Sequence, residues 1–268
     1  MVSTPALVLV AHGTRSTKGV QMIAELAEAV ARELGAPSPA FGPSAELTGA
    51  GAAFGAASSP SRGFAADAPR VRTAFVDVLG PSPAEVLRDL EGVPAVLVPA
   101  FLASGYHVYQ DVPREVTASE HDAVAVTPAM GPDPALAAVM RMRLRSAGWR
   151  PGDAVVFAAA GSSDARARHD VRRAAGLLAE QIAAPVRVAY IATGEPRVPE
   201  VIAELRAAGA KRVFVASYLL AHGLFHERLH NAGADGVAEP IGVHPAVVRL
   251  LADRYYAAAG TLTAARVA

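Results

Sequence analysis

The sequence predicts an α/β fold of two homologous lobes, each a parallel sheet flanked by helices, with a cleft between them. Three observations predict it. Short β-branched runs alternate with helical stripes along the chain, the pattern of strand–helix–strand units that build parallel sheets. The second half repeats the first: Ala74-Phe75-Val76, Pro81 and Glu85-Val86 return at constant offset as Ala189-Tyr190-Ile191, Pro196 and Glu200-Val201. Two further segments return in the same order. Val10-Ala11-His12-Gly13 is matched by Ala158-Ala159-Ala160-Gly161, and Met130-Gly131 with Pro134-Ala135 by Ile241-Gly242 with Pro245-Ala246. Two units are too few for a solenoid, and 268 residues are enough for two lobes with real cores. A facing pair is therefore expected, residues 1–149 and 150–268, with the boundary at Trp149 to Gly152.

The elements follow in order. Leu7 to Ala11 is a continuous apolar run and reads as a buried strand. Lys18 to Leu34 places Val20, Ile23, Leu26, Ala27, Val30 and Leu34 on one helical stripe, and Gly35 stands where a helix stops. Residues 36–69 are dominated by Ala, Gly, Ser and Pro without periodicity and read as a flexible, low-complexity insertion. Val71 to Val78, Ala95 to Pro99 and Ala123 to Thr127 are the next strands, and helices are predicted to start near Pro83 and Pro134.

Composition narrows the function. The formal net charge is zero and the hydrophobic fraction is 52%, which disfavours a nucleic-acid partner and bulk disorder. Lysine occurs only at Lys18 and Lys211, so arginine carries the rest of the positive charge, and its fork suits carboxylate-bearing ligands. There is no cysteine, which excludes disulfides, thiolate metal sites and cysteine nucleophiles. The N-terminal residues lack a basic region followed by an apolar helix, and a cytoplasmic protein is expected. The apolar stretch Val93 to Tyr109 is broken by Pro94, Pro99, Ser104, Gly105 and His107, so no membrane span is expected.

Ligands of open parallel sheets bind beyond the carboxyl ends of the strands, where loops and helix N-termini leave polar groups facing a crevice. His12 ends the first strand there. Asp77 ends the second, and His107 lies in the loop that leaves the third. Two imidazoles and a carboxylate from three strand ends suit a borderline divalent ion such as Fe, Co, Ni or Zn with open positions. The blander readings are solvated loop histidines and a helix-capping Asp77. The repeat argues against them: the second lobe has Ala160 in place of His12 and Ala192 in place of Asp77, so the scaffold needs neither side chain. The active lobe is thus expected to be the N-terminal one.

The stretches AHGTR, AFVDVLGPSPAEV and VPAFLASGYHVYQDVPRE, at three successive strand ends, resemble the sirohydrochlorin chelatases, type II chelatases of siroheme and cobalamin synthesis. The segments YLLAHGLFHERL and EPIGVHPAV are similar to the second half of the long, two-lobed form. The resemblance implies a chelatase-like fold with its active cleft between the lobes. It implies insertion of a divalent metal, Fe2+ or Co2+ with Ni2+ as a further candidate, into a tetrapyrrole, without a permanently bound cofactor. It assigns the metal to His12 and His107. Where the family usually has glutamate this chain has Asp77, one methylene shorter, as ligand or proton relay.

Metallation removes two pyrrole protons while the ion sheds water, so the site needs a neutral base and an exchangeable perch. Neutral imidazole serves as both. On this reading His12 and His107 present the ion and accept protons, while Asp77 orients an imidazole or relays protons. The substrate carries carboxylates, and Gly13-Thr14-Arg15 at a helix start offers N–H groups and a guanidinium for them. Arg114 is a second candidate cation, and Gly105 with Tyr106 is a candidate wall against the ring. His222 and His226, spaced i to i+4 with His230 beyond, are expected to line substrate or lie on the surface; a metal site of their own is the alternative. The duplication makes a functional monomer possible.

Two enzyme classes are excluded. Histidine phosphatases place arginine before the strand-end histidine, where this chain has Ala11, and Gly161-Ser162-Ser163-Asp164 lacks the G-x-S-x-G elbow of serine hydrolases. A tetrapyrrole or metal carrier would need the same residues as a chelatase and remains the alternative from a different class.

Overall fold

The computed structural model describes residues 3–14, 16–37, 39, 68–77 and 79–267. Most of the predicted 36–69 insertion lies outside them, as do Arg15 and Val78. Strands β1 (Ala6–His12), β2 (Val71–Val76), β3 (Ala95–Pro99) and β4 (Val124–Val126) form one parallel sheet in the order β2-β1-β3-β4. Strands β5 (Ala154–Gly161), β6 (Val186–Thr193), β7 (Val213–Tyr218) and β8 (Gly236–Val237) form a second in the order β6-β5-β7-β8.

The two sheets carry the sequence repeat in their hydrogen bonding. Leu7 pairs with Val71 as Val155 pairs with Val186, and the amide of Phe75 donates to Pro81 O at 2.8 Å as that of Tyr190 donates to Pro196 O at 2.9 Å. Where the predicted second strand ran to Val78, β2 ends at Val76, because Asp77 takes a left-handed backbone at φ 75° that no ladder continues.

Eight helices are described: α1 (Thr17–Glu33), α2 (Pro83–Asp89), α3 (Val112–Ser119), α4 (Pro134–Ser146), α5 (Ala165–Ile182), α6 (Val198–Ala207), α7 (Leu224–His230) and α8 (Pro245–Val267). None of them is long and apolar enough to cross a membrane. α1 buries Ile23, Leu26, Ala27 and Val30 of the predicted stripe, Leu34 at its C-cap is buried with them while Val20 is only half-buried, and Gly35 at φ 66° closes it. α2 starts at a capping box: Ser82 Oγ accepts from the Glu85 amide, and Glu85 Oε2 accepts from the Ser82 amide at 2.7 Å.

The helices that follow the last strand of each sheet change places. α4 leaves the first sheet and packs on α5 and β7, while α8 returns from the second sheet to pack on α1, β3 and β4. One apolar core therefore runs from Leu7 and Leu9 through Leu26, Met140 and Leu251 to Phe157 and Phe214. Separate clusters close the outer faces, Val8 and Val10 under Leu87 in the first sheet and Val156 and Val215 under Val201 in the second. The cross-over is sealed by the buried Tyr255, whose hydroxyl donates to Pro5 O at 2.7 Å.

Two predictions follow from α8. Tyr255→Phe keeps the packing and leaves the Pro5 carbonyl without its donor, so unfolding should be easier by about 1–2 kcal/mol, a Tm drop of about 2–8 °C by calorimetry. At the other end, His244 Nδ1 accepts from the Ala246 amide at 3.1 Å, which requires a neutral ring. Burial, then the charges of Arg143 and Arg249, hold that imidazole below its ordinary value. The unfolded chain thus binds the proton more readily than the folded one, so stability from this group is complete above about pH 6.5 and is lost on acidification. Denaturant midpoints should fall from pH 7.5 to 5.5 in the native sequence, and fall less in His244→Asn, which caps the helix without titrating.

Candidate active site

The order β2-β1-β3-β4 makes β1 a switch point: the chain leaves it toward β2 on one side and reaches β3 on the other, opening a crevice at its carboxyl end. β1 is buried from Ala6 to Ala11 and emerges at His12. The first loop is held to the neighbouring strand where Gly13 donates to Val76 O at 3.0 Å, and it turns into α1 where Ser16 donates to Thr14 Oγ1 at 3.1 Å. Gly13 and Thr14 line the crevice; Arg15, expected beside them as an anion ligand, lies outside the described residues.

Both histidines are fixed through Nδ1. His12 Nδ1 lies 2.8 Å from Gly13 O, and since a carbonyl only accepts, Nδ1 carries the proton and Nε2 carries the lone pair. That Nε2 faces Asp77 Oδ2 at 3.8 Å, too far for a hydrogen bond. Two acceptors looking at each other across such a gap suit a cation or a shared proton. His107 is not in the loop the sequence predicts. It opens a π-helical turn, His107–Asp111, whose defining bond runs from the Val112 amide to His107 O and which continues as α3. The turn sets His107 Nδ1 2.6 Å from Asp111 Oδ2, again leaving Nε2 as the lone-pair nitrogen.

Asp111 is the functional residue that the sequence reading missed. Its signal was the i to i+4 spacing within HVYQD, legible once that stretch is read as helical. Asp111 is buried, and its second oxygen receives Arg114 at 3.1 Å. Arg114, a candidate for substrate carboxylates, is thus engaged with Asp111 instead.

The imidazoles of His12 and His107 stand edge to face with centroids 4.8 Å apart. Phe101 stacks on His107 at 6.1 Å, and Tyr106 meets it edge-on at 6.1 Å. His12 thus lies beside both His107 and Asp77. Among the described residues, however, no three His, Asp or Glu side chains converge tightly enough to hold an ion as they stand. An open donor set of this kind exchanges its ion more readily than a closed cage.

These groups line a cleft of about 970 Å³ between the two sheets' loops. The lobes come close at Gly105, where a Cβ would lie 3.2 Å from Ala167 Cβ of the opposite lobe. The lobes are tied across it by Tyr218, whose hydroxyl donates to Leu102 O at 2.6 Å, and by the Ser104 amide, which donates to Asp170 Oδ2 at 2.8 Å. Burial, followed by the charges of Asp170 and Asp133, pushes the Tyr218 phenol far above its ordinary range, so it stays a neutral donor. Tyr106, 57% exposed, and Leu224 of the second lobe, 60% exposed, both line the cleft. The opposite wall carries Ala160 at the His12 position.

The i to i+4 metal pair considered for His222 and His226 does not form. α7 begins at Leu224, so His222 precedes it, and His226 is buried with Nε2 donating to Ala238 O at 3.1 Å. Burial holds His226 below its ordinary value, and its ring stacks edge-on between His222 and His230.

No curated protein matches the sequence. Among solved structures, SirB from Bacillus subtilis with Fe3+ superposes with a TM-score of 0.74 at 20% identity, covering 96% of both chains. The sirohydrochlorin chelatase SirB from Bacillus subtilis subspecies spizizenii in complex with cobalt gives 0.69 at 20% identity, again over 96% of each. CbiX, described as the terminal enzyme for biosynthesis of siroheme in denitrifying bacteria, gives 0.61 at 20% identity over 94% of this chain and 99% of its own. These likenesses establish a shared two-lobed chelatase fold. The family match is carried by the sequence itself, twice over, through residues 58–147 and again through residues 154–258. With more than half of its length so matched, and each match on one of the two parallel sheets, the chain belongs to the CbiX family.

Proposed function

We propose that the chain inserts a divalent metal ion, Fe2+ or Co2+ and on the same donor chemistry Ni2+, into a sirohydrochlorin-type tetrapyrrole with release of two protons. The observation that carries this is the pair of imidazoles 4.8 Å apart, each anchored at Nδ1 and each left with an Nε2 lone pair inside a 970 Å³ cleft. The volume suits a macrocycle, and two neutral nitrogens supply a perch and a base. The SirB structures with Fe3+ and with cobalt belong to proteins of the same fold.

In the reaction the ion arrives at His12 and His107 as a substrate. The ring enters with Gly105 and Tyr106 against one side, and Gly13 and Thr14, with Arg15, receive its carboxylates. As metal–nitrogen bonds form to the ring, the two pyrrole N–H bonds break and their protons pass to imidazole Nε2; the Nε2 of His12 hands its proton on toward Asp77. Asp111 fixes the His107 tautomer and stabilises the imidazolium that forms. One chain carries both walls of the cleft, so a monomer is sufficient for the reaction, and the N-terminal lobe supplies the donors.

Steady-state assay of metal-free sirohydrochlorin with Fe2+ or Co2+, followed by absorbance, tests the proposal: many turnovers per chain are expected, whereas a carrier converts at most one equivalent. His12→Ala and His107→Ala should each lower kcat by about 10²–10⁴-fold while tetrapyrrole binding, read by fluorescence quenching, is retained. Asp111→Asn keeps the shape but lets the His107 ring choose its tautomer. It should cost about 10–100-fold in kcat, with the tetrapyrrole Kd unchanged.

A further inference from the structure

We propose a second divalent-cation site on the opposite lip of the cleft, formed by His222 and Glu239. His222 Nε2 lies 3.2 Å from Glu239 Oε2, and both side chains are partly exposed, 36% and 55%. Nitrogen and oxygen donors bound to one ion at about 2.0–2.2 Å stand about 3 Å apart when the angle between them is near 90–100°, so the pair is already spaced to chelate. Borderline ions with exchangeable water are the chemical class that an imidazole–carboxylate pair selects.

The duplication shows that this pair is particular to the second lobe. The amide of Glu227 bonds to Gly223 O as that of Tyr109 bonds to Gly105 O, which aligns Gly223 with Gly105 and therefore His222 with Ser104. Likewise the amide of Ala238 bonds to Val215 O as that of Thr127 bonds to Leu97 O, aligning Glu239 with Pro128. The first lobe has no metal donor at either place, and the His107 position is taken by Phe225. Nor is His222 loose: His226, fixed to Ala238 O, backs its ring edge-on with centroids 5.1 Å apart.

The pair is also placed to deliver. Its loop packs on the one that follows His12, since a Cβ on Gly223 would come 3.8 Å from Thr14 Oγ1 and 3.7 Å from Ser16 Cβ. His222 itself lines the cleft that contains His12 and His107. With two protein donors and water in the other positions, the site holds an ion weakly enough to pass it on. That delivery role rests on the chelatase reading; the site does not.

The test is titration of the whole chain with Co2+ alone, read by calorimetry and by cobalt absorption. In a His12→Ala/His107→Ala background, about one Co2+ per chain should remain bound, and adding Glu239→Gln or His222→Ala should weaken it at least tenfold, with circular dichroism unchanged. Glu239→Gln is nearly isosteric and guards against a folding defect in the histidine variant. A double variant that binds no Co2+, or undiminished affinity after Glu239→Gln, overturns the site. If sirohydrochlorin is not turned over while this Co2+ still binds, the chelatase reading falls and the site stands.

Discussion

The 2.6 Å bond between His107 and Asp111 sets the character of the cleft. An imidazole free to rotate offers a mixture of tautomers, so its lone pair is aimed in no fixed direction. Held at Nδ1 by a buried carboxylate it presents one lone pair in one direction, and the developing imidazolium finds its counter-charge in place. The Gly13 carbonyl does the same for His12 without adding charge. The two rings therefore differ: His107 is backed by a carboxylate, whereas His12 has a carboxylate, Asp77, in front of its lone pair at 3.8 Å. An ion shared by them would be bound by a nitrogen made more basic from behind on one side and met by negative charge on the other.

That bond sits within an irregular piece of backbone. In an ordinary α-helix the i to i+4 pair would also meet, but here the turn is widened to i+5, and the Gly105 carbonyl takes both the Val108 and Tyr109 amides, at 3.1 and 3.2 Å. The widened turn lets His107 start a helix directly behind the glycine that admits the second lobe. The second lobe in turn holds Leu102 and Ser104 through Tyr218 and Asp170, so the position of His107 is fixed by contacts from across the cleft. The exchange of α4 and α8 extends this principle to the whole molecule, because neither sheet buries its inner face with helices from its own half alone.

Much of this was legible in the sequence, and the reasons differ by element. β1 was visible because a strand buried on both faces reads as an unbroken apolar run, and its end was marked by His12. The repeat was visible because the same turn and capping residues, Pro81 with Glu85 and Pro196 with Glu200, recur at one spacing. The π-helical turn was not, since an i+5 bond leaves no periodicity of its own and Ser104-Gly105 reads as loop. The helix exchange was hidden for another reason. An amphipathic stripe such as Val247, Val248, Leu251, Ala252 and Tyr255 states that one face is buried but not which sheet buries it. Of the site, His12, Asp77 and His107 came from strand-end logic and are brought together. Asp111 escaped because a carboxylate in a polar-looking segment carries no mark until its helix is known.

Duplication explains why the two walls of the cleft can specialise. Both copies must keep the apolar interior of the strands, and these positions repeat. The strand-end side chains are free of that duty, which is why alanines at 160 and 192 leave the second sheet intact. Freed positions can acquire a different chemistry at a small cost in stability, because a polar group at a strand's end stays hydrated rather than buried. A chelatase needs unlike walls in any case. The wall that deprotonates the ring must keep neutral bases available, and a wall that only receives ions or covers the macrocycle must not compete for the same protons. Two identical copies would have offered the ring the same donors from both faces, and the ion would have had two equal places to stop outside it.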